Sequence, residues 1–453
     1  MTSTLYRHGV VHSAADPFAE AILVDGDTIA WLGADDTADG LAAGADEVID
    51  LDGAIVTPGF VDSHVHLLAT HQALTGGAAS DASSRSHGTA PTDDRRPAPA
   101  DRLVGYRQVL ASAAERGVVA VHEMSTPATD TREGLAALLA LTADPDCRLP
   151  LVIGYRGELC VTADDARELV AQIPGLTGIG GDLAIDGSFG DRTARLRTAY
   201  QDAPGEVGLL ELSAEQIANH VGAVTRAGLQ AGFHVVGDAA LDEVLLGIRA
   251  AADVEGLASV AGAGHRLEHA EMVDASALAA LVLLGLRVSA QPALAHARGG
   301  PAGLDVDRLG PTRRAGLRPF AALAPVGVPL AFGSNAPHGP LDPWQWVAAA
   351  FQHHQQGQRI SARAAFRAAT RAGWRLAGLD HTGAGELRVG APAHLAVWRA
   401  DELVVEAVDG RFTSWSRDAR AGTPLLPSVS PDAAPPVCLR TVRAGMPLFD
   451  RFG

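Results

Sequence analysis

Between residues 55 and 376, eight short apolar stretches alternate with helical ones, and this alternation constrains the fold more than any other feature of the chain. The apolar stretches are Ile55 to Val61, Val118 to Val121, Leu151 to Gly154, Asp182 to Ile185, Gln230 to Val235, His265 to Glu268, Arg287 to Ala290 and Pro329 to Phe332. Helical segments fall between them, at Arg102 to Arg116, around Thr131 to Leu141 and at Ala163 to Gln172. Ser213-Ala-Glu-Gln216 has the form of a capping box and opens another, running to about Arg226. Strands buried on both faces read as short apolar runs, and each parallel pairing needs a helical crossover. Eight such units predict an α/β fold, a (β/α)8 TIM-type barrel over residues 55 to 384. Helices from Pro343 to about His353 and from Arg363 to Leu376 would close it. Functional side chains of such a barrel gather at the C-terminal ends of its strands.

The two ends of the chain follow another pattern. Residues 1 to 54 read as short strands at Leu5 to Val11, Ala21 to Val24, Thr28 to Leu32 and Val48 to Leu51, with a tight turn at Asp25-Gly26. Residues 385 to 453 return to short strands, at Ala393 to Trp398, Leu403 to Ala407 and Val437 to Val442. Gly76 to Ala100 is rich in Gly, Ala, Ser, Asp and Pro without an apolar period. That composition reads as a loop without a packed core, with an active-site lid as the alternative.

Thr57 to Leu68 reads TPGFVDSHVHLL. Residues two apart in extended backbone point the same way, so His64 and His66 can face one point. Neutral imidazole is the commonest protein ligand for zinc and its neighbours. Among 17 histidines an H-x-H pair alone means little. Placed after P-G-F-V-D, it resembles the start of the barrel in the amidohydrolase superfamily, metal-dependent hydrolases of amide and related C–N bonds. Further motifs fall in order: IDGSFGDRTAR from Ile185, QAGFHVVGDAA from Gln230, RLEHAE from Arg266, Gln291-Pro292, GSNAP from Gly333 and GAGELRVGAPAHLAVW from Gly383. The set is similar to the branch of N-substituted formamide deformylase and its relatives, over nearly the whole chain. The resemblance implies a small β-domain made from residues 1–54 and 385–453. It also implies His64, His66, His234 and His269 as metal ligands, and four imidazoles on strands 1, 5 and 6 would converge at one barrel mouth.

Two positions depart from that family, and both touch chemistry. Its metal-bridging lysine is replaced by Asp182, and the chain has no lysine anywhere. Aspartate binds zinc but is shorter than a carbamylated lysine, so one metal per chain is expected instead of two. Its proton-accepting aspartate after strand 8 is replaced by Asn335, and a carboxamide has no useful basicity. Asp186 is a candidate carboxylate for the catalytic machinery, with His122, Glu123 and His338 as further residues near the strand ends. Arg192 and Arg195 could attract a substrate carboxylate.

Composition narrows the function classes. A net charge of -17 argues against a nucleic-acid partner. No apolar run approaches the roughly 18 residues of a membrane span, so no membrane partner is expected. The N-terminus lacks a signal-peptide pattern, and Cys147, Cys160 and Cys438 are scattered, which points to a reducing cytoplasm. The expected function is metal-dependent hydrolysis, most simply with zinc, of an amide or related C–N bond in a small-molecule substrate. A homo-oligomer is compatible with the sequence. The alternatives are a catalytically silent relative with a binding or regulatory role, and non-hydrolytic chemistry such as isomerisation.

Overall fold

The computed structural model describes residues 2–76, 98–406 and 423–452. The expectation of an unpacked loop therefore falls, over residues 77–97, outside the described residues.

Eight parallel strands form one sheet in sequence order: β1 (Phe60–Val65), β2 (Val118–Ser125), β3 (Leu151–Arg156), β4 (Gly178–Ile179), β5 (Gln230–Val235), β6 (Arg266–His269), β7 (Arg287–Ala290) and β8 (Leu330–Phe332). Every residue of β1, β2 and β5 is buried, which is why these strands show no polar alternation. The ring closes where the chain leaving β8 meets β1. There the Asn335 N–H donates to His64 O at 2.8 Å, and the His66 N–H donates to Ala336 O at 3.0 Å. The fold is thus the expected (β/α)8 barrel with an added β-domain.

Helices pack round the barrel where their caps predict. Thr162 with Asp165, and Ser213 with Gln216, both form complete capping boxes. Such a cap is typically worth about 1 kcal/mol. The segment from Arg363 to Leu376 is two helices, Ala362–Ala368 and Arg371–Leu376, broken at Thr370, whose backbone is non-helical (φ -124, ψ -94). No described helix is long and apolar enough to cross a membrane.

Strands from both ends of the chain build the β-domain. One sheet orders Met446–Asp450, Val437–Arg443, Leu395–Arg399, Ile55–Pro58 and Val10–Val11. The other orders Thr28–Gly33, Ala21–Asp25, Ser3–Arg7 and Glu47–Asp50. Val11, Ile22, Val56, Leu395 and Val397 share one apolar cluster between them.

Leu5 to Val11, expected as one strand, is Ser3–Arg7 and Val10–Val11 in separate sheets, and two further strand expectations change at the barrel. Ile55 to Val61 is not one strand. Ile55–Pro58 pairs antiparallel with Leu395–Arg399, and Phe60 begins the barrel. The break falls at Gly59, where a Cβ would lie 2.4 Å from Val119 Cγ1. Aromatic packing seals this junction, with Phe60 edge-on to Trp344, Phe366 and Trp398 at 5.2–5.7 Å. The second change is at β4, which is Gly178–Ile179, so Asp182 to Ile185 lies beyond the strand end. Gly180 (φ 106) and Gly181 (φ 65) turn the chain there, in backbone that favours glycine. A Cβ on Gly180 would stand 2.1 Å from Gly232 O, so the two backbones touch.

Candidate metal centre

That glycine turn lays Asp182 to Ile185 alongside the end of β5. The His234 N–H donates to Leu183 O at 2.9 Å, and the Ile185 N–H donates to His234 O at 3.1 Å. Asp182 is thereby carried into the barrel mouth, further than its place after a two-residue strand suggests.

Four histidines surround its carboxylate. Asp182 Oδ1 lies 2.9 Å from His234 Nδ1 and 3.6 Å from His269 Nε2. Asp182 Oδ2 lies 3.5 Å from His66 Nε2 and 3.9 Å from His64 Nε2. Donor atoms of His64, Asp182 and His269 all fall within 4.8 Å of one another. The five expected ligand residues are therefore together at one end of the barrel.

The rings of His64 and His66 are oriented from behind. His64 Nδ1 meets Glu268 Oε2 at 2.6 Å, and His66 Nδ1 meets Met124 O at 3.0 Å. Both partners are acceptors, so each ring carries its proton on Nδ1 and turns the Nε2 lone pair inward. These two Nε2 atoms are 3.3 Å apart. Two lone pairs at that distance repel unless a cation joins them. The residues therefore fit a bound metal, and a ring proton on one imidazole is what can stand in its place.

Burial and charge oppose one another here. Burial raises the Asp182 pKa, but the adjacent His234 and His64 outweigh it and hold the carboxyl well below its usual range. Burial works against charge on His234, yet Asp182 lifts its pKa to about 9. His64 goes the other way, to about 4, because burial outweighs Asp182 and Glu268. His269 (φ 69), Ala270 (φ 42) and Asn335 (φ 52) ring the site in left-handed backbone. Such strain in non-glycine residues clusters at functional sites.

The other candidates divide. Asn335 is buried at the mouth and its side-chain Oδ1 meets no donor. Asp186 stands apart from the Asp182 contacts, its oxygens taken by three backbone N–H groups: Val236 at 2.9 Å, and Gly237 and Arg195 each at 2.8 Å. That is the geometry of an anchor fastening the β4 loop to the turn after β5. Arg192 is paired with Asp202 at 2.8 Å, and Arg195 Nη1 donates to Gly208 O at 3.3 Å. His338 donates its backbone N–H to Asn335 O at 2.8 Å.

Sequence reasoning missed the support under His64. Arg266 is fully buried, with Nε 2.5 Å from Glu268 Oε1, Nη2 2.8 Å from Ser63 O and Nη1 2.9 Å from His122 Nδ1. Its guanidinium lies 4.3 Å over the Tyr155 ring. The signal was present in R-L-E-H: two opposite charges two residues apart on a short strand share a face. Asp62, also fully buried, accepts from Ser334 N, Ser334 Oγ and His64 N at 2.9, 2.6 and 3.1 Å, pinning the β8 exit to β1.

Glu123 on β2 accepts the Leu67 N–H at 2.8 Å. Burial pushes its carboxyl from 4.5 up to about 8, with His66 opposing. The native chain therefore keeps a proton that the unfolded chain releases, and stability falls as pH rises from 4.5 through about 8. Glu123→Gln cannot ionise and keeps an acceptor for Leu67. It should match the parent near pH 5 and exceed it at pH 9, the gap growing by about 1.4 kcal/mol per pH unit inside the window. Urea titrations at both pH values check this, and an equal gap at the two would refute it.

The chain is similar to known proteins over most of its length. The model of a family described as "Amidohydrolase family" matches residues 47–95 and 87–445. The Bacillus subtilis (strain 168) protein named "Putative amidohydrolase YtcJ" is 28% identical over 179 residues, 39% of this chain and 32% of that protein. An imidazolonepropionase of Anaeromyxobacter sp. (strain K) is 49% identical over 49 residues, 11% of this chain and 12% of the enzyme. The chain thus matches less than a third of the length of either relative. An uncharacterized metal-dependent hydrolase from Pyrococcus furiosus has TM-score 0.69 at 21% identity, covering 87% of this chain and 98% of that one. One from Pyrococcus horikoshii OT3 has TM-score 0.70 at 19% identity, covering 90% and 98%. At these identities the likeness is one of fold.

Proposed function

The chain belongs to the amidohydrolase family, and from that membership we propose that it hydrolyses an amide or related C–N bond of a small molecule with one divalent metal. His64, His66, His234, His269 and Asp182 would hold the ion. Imidazoles with a single carboxylate suit zinc. The observation that carries the reading is the convergence of His64 Nε2 and His66 Nε2, 3.3 Å apart, with Asp182 beside them. Bound there, the ion would polarise a carbonyl and lower the pKa of a coordinated water.

The chain's own groups supply the rest. Glu268 fixes the His64 proton on Nδ1, which keeps Nε2 available. Asn335 can offer its amide N–H or its oxygen to a substrate, but takes no proton. Asp182 touches all four histidines, and one of its oxygens is the group placed to accept a proton from the attacking water. Asp186 keeps its three amide partners and anchors the loop.

Asn335 also motivates a second reading, a silent relative that keeps the fold and binds without turning over. Asn335→Asp separates the assignments. With Asp182 as proton acceptor, turnover of a panel of formamides and N-acyl compounds stays within a few-fold of wild type. A gain of about 10²–10⁴-fold would hand the role to position 335. No turnover in either form across the panel, with metal bound, would favour the silent relative.

A further inference from the structure

Three successive helices on the outside of the barrel, Asp238–Glu255, Leu257–Ala263 and Ala275–Leu283, turn a largely apolar face to solvent. The longest follows β5 and buries Leu241, Val244, Leu245 and Ile248 on its inner side. Its outward row includes Leu246, Arg249, Ala250, Asp253 and Val254, all exposed. A surface helix ordinarily turns charged and polar residues outward. The third helix turns out no charge at all. Ala275 to Leu286 contains no charged residue, and Val282 and Leu283 are 49% and 59% exposed.

The three helices make one continuous face. Arg197 ties the N-terminal ends of the long helix and the third through Asp242 at 2.5 Å and Asp274 at 2.7 Å. Past the other end of the third helix, a Cβ on Gly285 would stand 2.8 Å from Ala261 O of the short one. Among the described residues sixteen large apolar side chains are exposed, and five of them lie here: Leu246, Val254, Leu257, Val282 and Leu283. Single exposed apolar residues are ordinary, but a contiguous group of them marks an interaction surface.

The charges within the face are self-complementary. Arg249 and Asp253 stand about one helical turn apart, and among the described residues neither is in an ion pair. In a two-fold pairing, a residue that meets a second residue on the other copy is met in turn. With two long helices antiparallel and the axis at Ala250, Leu246 of each copy faces Val254 of the other, and Arg249 of each reaches Asp253 of the other. The small Ala250 side chain lets the two backbones approach. A lipid surface fits poorly, because the row offers one arginine beside one aspartate on a chain of net charge -17. A face about 27 Å long and two to three helices wide, at about 10 Å per helix, matches the roughly 800 Å² that each partner gives to a stable interface.

We propose that this face is the contact between two copies of the chain, paired about a two-fold axis with their long helices antiparallel at Ala250. The proposal is independent of the hydrolase reading, since none of these residues belongs to the metal centre.

Sedimentation equilibrium on the full chain tests it. The wild-type chain should be a dimer at micromolar concentration. Arg249→Asp sets like charges against each other at both ends of the contact, and Asp253→Arg does the same with the opposite sign. Each should raise the dimer dissociation constant about 100-fold or more. Mixed one to one, the two variants again present opposite charges at both ends, and a heterodimer of near wild-type affinity should form. That recovery separates a lost contact from a lost fold, because only folded chains can pair. A wild-type chain that stays monomeric would overturn the proposal. So would a dimer that neither variant weakens, or two weakened variants that do not recover on mixing.

Discussion

Asp182→Asn is expected to lower kcat by about 10²–10⁴-fold, the range a general base contributes, while leaving the fold intact. The substitution is isosteric, so the glycine turn at Gly180 and Gly181 and the backbone bonds to β5 are untouched. What changes is charge. Asp182 is the carboxylate lying between His234 Nδ1 at 2.9 Å and His66 Nε2 at 3.5 Å. A carboxamide there accepts no proton, holds a metal less well, and turns an N–H toward a histidine nitrogen. Metal content per chain should therefore fall together with kcat, and far-ultraviolet circular dichroism should not move. Steady-state kinetics beside elemental analysis checks both. Full activity with full metal in Asp182→Asn would remove Asp182 from the mechanism and from the ligand set.

Glu268→Leu is expected to cost about 3–5 kcal/mol of stability, because it strands Arg266 as an uncompensated buried charge. Arg266 and Glu268 are both 0% exposed, so water cannot reach in to replace the lost partner. The informative comparison is the double variant Arg266→Met with Glu268→Leu. Replacing both members of a buried pair by apolar residues is often neutral, so most of the lost stability should return. Metal affinity should not return with it. His64 would still lack the acceptor that holds its Nδ1 proton, and such losses typically cost about 10–100-fold in affinity. Urea unfolding and metal titration on the three variants separate the two roles of Glu268. A double variant that regains wild-type metal affinity would show that Glu268 serves only to neutralise Arg266.

The barrel was legible because its signal is repeated. Each apolar run is short, helical stretches fall between the runs, and the capping box read at Ser213 to Gln216 is formed by the side chains. The places where His64, His66, His234 and His269 sit could be read for the same reason, since each stands at or near a strand end. What stayed hidden depends on close contact between segments remote in sequence. The break at Gly59 is set by Val119, and the turn at Gly180 by Gly232, and neither neighbour is visible from the local pattern. Asp182 was expected among the ligands, but at the start of a strand; β4 ends at Ile179, and the glycine turn that carries the carboxylate to the mouth depends on the close approach of Gly232. Asp186 looked like a free carboxylate because the three amides that occupy it come from residues 195, 236 and 237.

The junction at Gly59 bears on how this chain could be recombined. Pro58 is the last residue of a β-domain strand, Phe60 is the first of the barrel, and the Gly59 N–H between them is held by His394 O at 3.0 Å. No spacer separates the two modules, and the segment that crosses from one to the other goes on to carry His64 and, just past its strand end, His66. A barrel excised at this point would lose its first strand's mooring, and a foreign domain grafted there would have to reproduce the pairing with Leu395–Arg399 to keep the two imidazoles in register. The two modules are in that sense a single unit of inheritance, exchangeable at their loops but not at their seam.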